Sequence, residues 1–314
     1  MKVAVLLATF NGEKFIKEQL DSIINQSYKD FTLYISDDGS SDCTVEIIKE
    51  YQEKYPNVIT VLDNHKPTGS ACKNFLYLLE QVDSDVYLFC DQDDVWLENH
   101  IAVFIEKYQK IYSGKKNIPI LIHSDTVIVD EKLNVLCNSG FKYMGVPLNP
   151  EKHSYYVMNN VSGCASMINE SLKQMVFYNK KELTLHQKDL LMHDHFFACI
   201  ASIMGEKYVI PEPTLLYRQH TGNVCGAGKR SICQKIKQFR CSMTRSKVVL
   251  NQYQIFASFF LSYFSSFLND RERKTLYNFS VLNDVSKMMR IILLIRENIL
   301  RNGFVRNLWL FFLI

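Results

Sequence analysis

Two strand-like apolar runs in this chain end on carboxylate clusters, and that placement restricts the possible folds more than any other feature. Phe31 to Ser36 runs into Asp37-Asp38-Gly39-Ser40, and Val86 to Cys90 runs into Asp91-Gln92-Asp93-Asp94. Strand and helix patterns alternate around them. Val3 to Ala8 is an apolar run with β-branched residues, and TFNGEKF then leads into Phe15, Ile16, Leu20, Ile23 and Ile24 at helical spacing. Thr44 to Tyr55 and a segment carrying Phe75, Leu76, Leu78 and Leu79 repeat the helical signal, with a strand-like Val58 to Leu62 between them. Such alternation implies an α/β domain with a largely parallel sheet, whose ligands sit outside the carboxyl ends of the strands. Both acidic clusters fall at such ends.

Further along, Ile120 to Ile122 and Val127 to Val129 are expected as two strands separated by His123-Ser124-Asp125, and Asn138 to Tyr156 as loop. His193-Asp194-His195 opens an apolar helix through Ile203. Pro211 and Pro213 suit an edge strand or loop for Val209 to Tyr217. The net charge of +3 conceals an asymmetry: residues 1–212 hold 20 Lys+Arg against 29 Asp+Glu, while residues 213–314 hold 16 against 4. The nine cysteines include no C-x-x-C pair, which argues against zinc-ribbon or thioredoxin chemistry and suits reduced thiols. The first apolar run reaches Thr9 and Asn11 too soon for a signal-peptide core, so the chain is expected to stay inside the cell. No run of 18 apolar residues suggests a membrane span.

The clusters carry chemistry. Asp37 and Asp38 can accept hydrogen bonds from a base edge or ribose hydroxyls, or can simply organise a tight turn. Asp91, Asp93 and Asp94 repel one another at one strand end, and a hard divalent cation, Mg²⁺ or Mn²⁺, bridging phosphate oxygens would relieve this; a solvated acidic loop is the plainer reading. Trp96 fits either a sugar-stacking role or the core. Asp125 lies at a strand end. Gly163, in Ser162-Gly163-Cys164-Ala165, leaves room for a close backbone approach.

The ordered segments VAVLLATFNGEKFIKEQLDSIINQSY, YISDDGSSDCT, YLFCDQDDVW, LLMHDHFFACIA and LLYRQHTGNVCGA resemble inverting glycosyltransferase family 2, and the last two its rhamnosyltransferase-like branch. The resemblance covers roughly residues 1–226. It implies a GT-A, Rossmann-like nucleotide-diphospho-sugar transferase domain over 1–226, followed by a helical, basic and aromatic extension over 227–314. By this likeness Ala8, Thr9 and Asn11 line the nucleotide pocket, Asp37 or Asp38 contacts base or ribose, and Asp91 and Asp93 form the DXD element. Asp91 would face the donor, and Asp93 or Asp94 would ligate the metal. Asp194 falls at the general-base position, with helix N-capping as its alternative. Arg218 and His220 would meet the donor diphosphate, and His193 and His195 flank the base, where either could orient it or meet the acceptor. The same likeness implies a carboxylate near the acceptor at Asp125.

In the extension, Phe256, Phe259, Phe260, Tyr263, Phe264, Phe267 and Leu268 form one helical face, and the last residues are apolar and preceded by Arg296, Arg301 and Arg306. Nucleic acid is disfavoured because the aromatic positions do not interleave with Lys and Arg. An anionic membrane surface suits the pattern, with packing on the catalytic domain or dimer formation as alternatives. A D-x-D-x-V match also admits a haloacid-dehalogenase-like phosphatase, but no Gly-Asp-x-x-x-Asp follows. A non-catalytic sugar-nucleotide or glycan-binding module is a further alternative. The expected function is transfer of a sugar, with rhamnose leading, from a dTDP- or UDP-sugar to a hydroxyl of a lipid-linked glycan acceptor in surface polysaccharide synthesis, on the inner face of the cell membrane.

Overall fold

The computed structural model describes residues 1–62, 66–112, 117–220 and 239–314. The first half builds the expected alternation: β1 (Val3–Thr9), α1 (Ile16–Ile24), β2 (Thr32–Asp37), α2 (Thr44–Lys54), β3 (Ile59–Val61), α3 (Ala71–Gln81) and β4 (Val86–Asp91). There follow β5 (Val95–Trp96), α4 (His100–Tyr112), β6 (Ile120–Val129), β7 (Val135–Cys137), α5 (Gly140–Met144), β8 (Ser166–Asn169), α6 (Glu170–Val176), α7 (Lys180–His186), α8 (His193–Met204) and β9 (Glu206–Arg218). The sheet order is β3-β2-β1-β4-β8-β6-β9-β5, with β7 on β6. Strands β3, β2, β1 and β4 are parallel, whereas β8 runs antiparallel to both β4 and β6.

Both faces of this sheet are covered, which is why its strands read as unbroken apolar runs. Val3, Val5, Leu7, Val86, Leu88 and Cys90 point into one core with Ile16, Leu20 and Phe104 from the helices. Alternate residues Ala4, Leu6, Tyr87 and Phe89 point into the other, with Phe75, Leu79, Phe196 and Phe197. Two expectations are corrected on the far side. The stretches around His123-Ser124-Asp125 are one ten-residue strand, β6, and the proline-rich segment is a long strand paired in parallel with it. The prolines are tolerated because the register shifts there, Ser124 facing Ile210 and Asp125 facing Pro213. The loop expected over 138–156 also holds α5 and a short 3₁₀ turn, Lys152–Tyr156.

The extension comprises α9 (Phe239–Tyr263), α10 (Asp270–Ser280), α11 (Lys287–Arg296) and α12 (Phe304–Leu313). The expected boundary at 226/227 lies outside the described residues. The aromatic face of α9, expected to suit a membrane, is core instead: Phe256, Phe260 and Phe264 are fully buried, and Phe267 alone of that face is exposed. Their rings surround Phe196 of α8 at centroid distances of 6.2, 6.3 and 6.1 Å. The physical reason is that α8 is apolar nearly all round and needs a second layer on the side away from the sheet.

A polar clasp secures this docking. Glu272 of α10 is buried between Lys152 and His153, whose Nε2 lies 2.9 Å from Oε2. Burial pushes the Glu272 carboxyl up, but the bonds from His153 and Lys152 outweigh it and hold the group at about 2, below its ordinary 4.5. A depressed carboxyl stabilises above its unfolded value and loses that contribution as pH falls toward its folded one. Glu272→Gln is therefore expected to cost up to about 3 kcal/mol near neutral pH. The melting temperature of the variant should fall less than that of the parent between pH 5 and 3. Parallel melting curves across that range would show that the clasp contributes nothing.

Candidate active site

The carboxyl ends of β2, β1 and β4 lie side by side, with Thr9 opposite Asp37 and Ala8 opposite Asp91. Thr9 Oγ1 donates to Asp37 Oδ2 at 2.8 Å. The other Asp37 oxygen accepts the backbone N–H groups of Gly39 and Ser40 at 3.0 and 2.7 Å. This turn needs glycine, since Gly39 sits at φ +87°. Asp38 is buried and accepts the N–H groups of Thr68 and Ser70 at 2.5 and 3.2 Å. Asn11, at φ 49°, accepts Ser41 N–H at 2.8 Å through Oδ1. Asp37, Asp38 and Asn11 thus shape the rim by binding backbone, as the turn reading anticipates.

The second cluster is held differently. Gln92 lies alongside Phe10, accepting its N–H and donating to its carbonyl, both at 2.9 Å. A Cβ on Gly12 would strike Gln92 at 2.2 Å, so this approach requires glycine there. Asp93 Oδ2 meets His220 Nε2 at 2.7 Å, and the His220 ring packs on Phe15. Asp94 is fully buried; Oδ1 accepts the Arg218 N–H at 3.0 Å, and Oδ2 has no hydrogen-bond partner. Oxygens of Asp91 and Asp94 and the sulfur of Cys164 lie within 4.8 Å of one another. Burial, with Asp93 and Asp194 nearby, raises the Asp91 carboxyl to about 7, and burial with Asp93 and Asp91 raises Asp94 well above the ordinary range. An orphaned buried carboxylate oxygen beside a second desolvated carboxyl is a donor set that fits a divalent cation.

Asp194 opens α8, and its Oδ1 accepts the N–H of His195 at 2.6 Å. Burial raises it to about 7, against hydrogen bonds from His195, Gly163 and Asn159 that hold it down. Gly163 is necessary here too: a Cβ would come within 2.9 Å of His193 Nε2 and 3.6 Å of Asp194 Cβ. A buried carboxyl near neutral pH beside an acidic cluster at strand ends can exchange protons with a hydroxyl.

Residues 4–114 match Glycosyl transferase family 2. The chain is 32% identical over 250 residues to the dTDP-rhamnosyl transferase RfbG of Shigella flexneri, across 77% of this chain and 80% of that one. It belongs to glycosyltransferase family 2. The likeness to RfbG places it in the rhamnosyltransferase-like branch. Its GT-A fold is shared with S. aureus TarS 1-349 in complex with UDP-GlcNAc, at TM-score 0.53, 17% identity and coverage of 95% and 88%. The mannosyltransferase PcManGT of Pyrobaculum calidifontis, solved with GDP-Man and Mn²⁺, aligns at TM-score 0.51 and 14% identity over 98% and 87% of the two chains.

Several residues singled out from the sequence of this glycosyltransferase are buried and held by the protein itself. Arg218 is 1% exposed and turned into the protein: Nε donates to Asp93 O at 2.8 Å, Nη1 to Glu131 O at 2.6 Å and Nη2 to Glu18 Oε2 at 2.5 Å. Trp96 is buried and stacked on His100 with centroids 3.9 Å apart, the core placement. Asp125 accepts the N–H groups of Thr126 and Phe141 at 2.8 and 3.1 Å, anchoring α5. His193 packs on Phe75 and Phe89, and His195 on Tyr253 and Phe256. Burial lowers His193 to about 3 and His195 to about 4, so both rings are neutral near pH 7.

Glu18, Phe15, Glu131 and Cys164 were not foreseen at the site. Of these only Cys164 carried a local signal, its place beside Gly163. Arg218→Ala is expected to cost about 3–5 kcal/mol, because Glu18 and two carbonyls lose their partner, while Arg218→Lys, which keeps the charge but loses the fork, should cost less. Equilibrium denaturation reads both; an unaffected Arg218→Ala would show that the clamp carries no load.

Proposed function

We propose that this glycosyltransferase is an inverting, metal-dependent enzyme that moves a sugar, rhamnose in the leading reading, from a dTDP- or UDP-sugar to a hydroxyl of a glycan acceptor. The acceptor is a lipid-linked precursor of a bacterial-type surface polysaccharide, met at the cytoplasmic face of the membrane. The observation that carries this reading is Asp194, a carboxyl raised to about 7 beside the Asp91–Asp94 cluster. The dTDP-rhamnose preference rests on the relative RfbG, and the cation on the fit of the donor set and on the Mn²⁺ of PcManGT.

In this mechanism Ala8, Thr9, Asn11, Asp37 and Asp38 form the nucleotide wall, the last four through the loops they brace. Asp93 or Asp94 would hold Mg²⁺ or Mn²⁺ with Asp91 facing the donor, and the Asp91 and Asp94 oxygens lie close enough to share an ion; when bound, the ion would supply Lewis acidity for the departing diphosphate. Asp194 removes the acceptor hydroxyl proton as the anomeric carbon is attacked from the side opposite the leaving group. One displacement inverts that carbon. The aromatic packing of His193 and His195 holds the base at its place.

Asp194→Asn should retain sugar-nucleotide binding while turnover falls by about 10² to 10⁴. Because the base acts deprotonated, kcat/KM should rise with pH to a plateau, with a midpoint at or below about 7. Binding titrations of dTDP-rhamnose and UDP-sugars with and without Mn²⁺ or Mg²⁺, followed by release of nucleoside diphosphate, test the reading. Full turnover in Asp194→Asn, or donor binding indifferent to the cation, would overturn the corresponding part of it.

A further inference from the structure

We propose that α11 and α12 form a docking hairpin that seats this protein on an anionic lipid surface, independently of which sugar it transfers. With the aromatic face of α9 accounted for as core, the unpartnered apolar surface of the extension is elsewhere. On α11, Met288, Ile292 and Ile295 recur at i, i+4 and i+7 and are 70%, 47% and 55% exposed. On α12, Phe304, Leu308 and Phe312 recur at i, i+4 and i+8 and are 77%, 50% and 51% exposed. Each helix also has a buried side, Leu294 on α11 and Leu310 and Leu313 on α12, which fixes it to the rest of the molecule. The start of α11 meets the end of α12, where Lys287 Nζ donates to Phe312 O at 3.2 Å. The two helices thus meet at one end, and each has one apolar face inward and one outward.

Charge selects the occupant. Residues 287–314 contain Lys287, Arg290, Arg296, Arg301 and Arg306 against a single acidic residue, Glu297. Arg296 pairs with Glu297, but Arg290 donates to Val285 O and Asn283 O, Arg301 to Val157 O, and Arg306 to Met144 O and Gly145 O. Bonds to carbonyls orient these side chains without cancelling their charge. A second copy of the chain would bring like charges together around the apolar face, whereas an anionic headgroup layer attracts them, each basic residue near the surface strengthening binding by about fivefold. Ten residues of helix reach only about 15 Å, and no helix among the described residues is long and apolar enough to cross a membrane. The hairpin accordingly lies in the interface, with its outer side chains in the acyl boundary.

The full chain, without sugar nucleotide or metal, is mixed with vesicles of phosphatidylcholine alone or with about a third phosphatidylglycerol, and bound protein is measured by sedimentation. The expected result is binding to the anionic vesicles that weakens with salt, and little binding to the neutral ones. Phe304→Ser with Val305→Ser should lower partitioning about tenfold or more. Met288→Ser with Ile292→Ser should act in the same direction, with circular dichroism and melting unchanged because these positions are exposed. The proposal is overturned if the parent chain ignores anionic vesicles or if both variants bind as the parent does. It is equally overturned if the parent is a dimer that these substitutions dissociate, since a second copy would then cover the face. Failure of donor binding or turnover would leave this result untouched, and failure here would leave the transferase reading untouched.

Discussion

Crowding of carboxylates around the carboxyl ends of the sheet's parallel strands sets the conditions for the rest of the structure. Asp91, Asp93, Asp94 and Asp194 lie close enough for their charges to act on Asp91, in surroundings that disfavour charge. The fold compensates some of them from within. Asp93 is met by His220 and Asp94 by the backbone of Arg218, both at the end of β9. The Arg218 guanidinium then ties that strand end to the Asp93 carbonyl, to Glu131 and to Glu18 of α1. Asp94 Oδ2 stays without a hydrogen-bond partner, and Asp91 and Asp194 keep a raised affinity for a proton.

The doubly covered half of the sheet was legible because parallel strands buried on both faces leave apolar runs that few other structures produce. The acidic strand ends were legible because they abut such runs, whereas Asp194 stood out only through the family resemblance of its segment. Arg218 shows the limit. Its partners Glu18 and Glu131 are 200 and 87 residues away in the chain, and no periodicity links them. Pro211 and Pro213 misled for a more local reason: proline excludes a regular ladder position but not a register shift, and the shift depends on the neighbouring strand.

The extension illustrates a different limit. A helical apolar face is visible in a sequence, but its partner is not, because a membrane, a second copy and a neighbouring helix all demand the same spacing. The face on α9 meets Phe196 of α8, while the outward faces of α11 and α12 stay largely exposed. Hydrophobicity alone does not separate the two cases. Arginines whose bonds are to carbonyls do, since a face destined for the core has no use for charge around it.

The extension also has a bearing on the chemistry, through three consecutive residues of α8. Successive helical residues diverge by about 100°, so His193, Asp194 and His195 face three different neighbours. His193 lies on Phe75 and Phe89 at the sheet, and His195 lies on Tyr253 and Phe256 of α9, with its Nε2 2.7 Å from Tyr155 O. Asp194, between them, is left facing Gly163 and the acidic cluster. Rotating α8 enough to turn the carboxylate away would pull one histidine or the other out of an aromatic pocket, so the position of Asp194 is set by packing on both of its sides. One of those sides is the extension, and α9 is therefore part of what fixes the direction of this carboxylate.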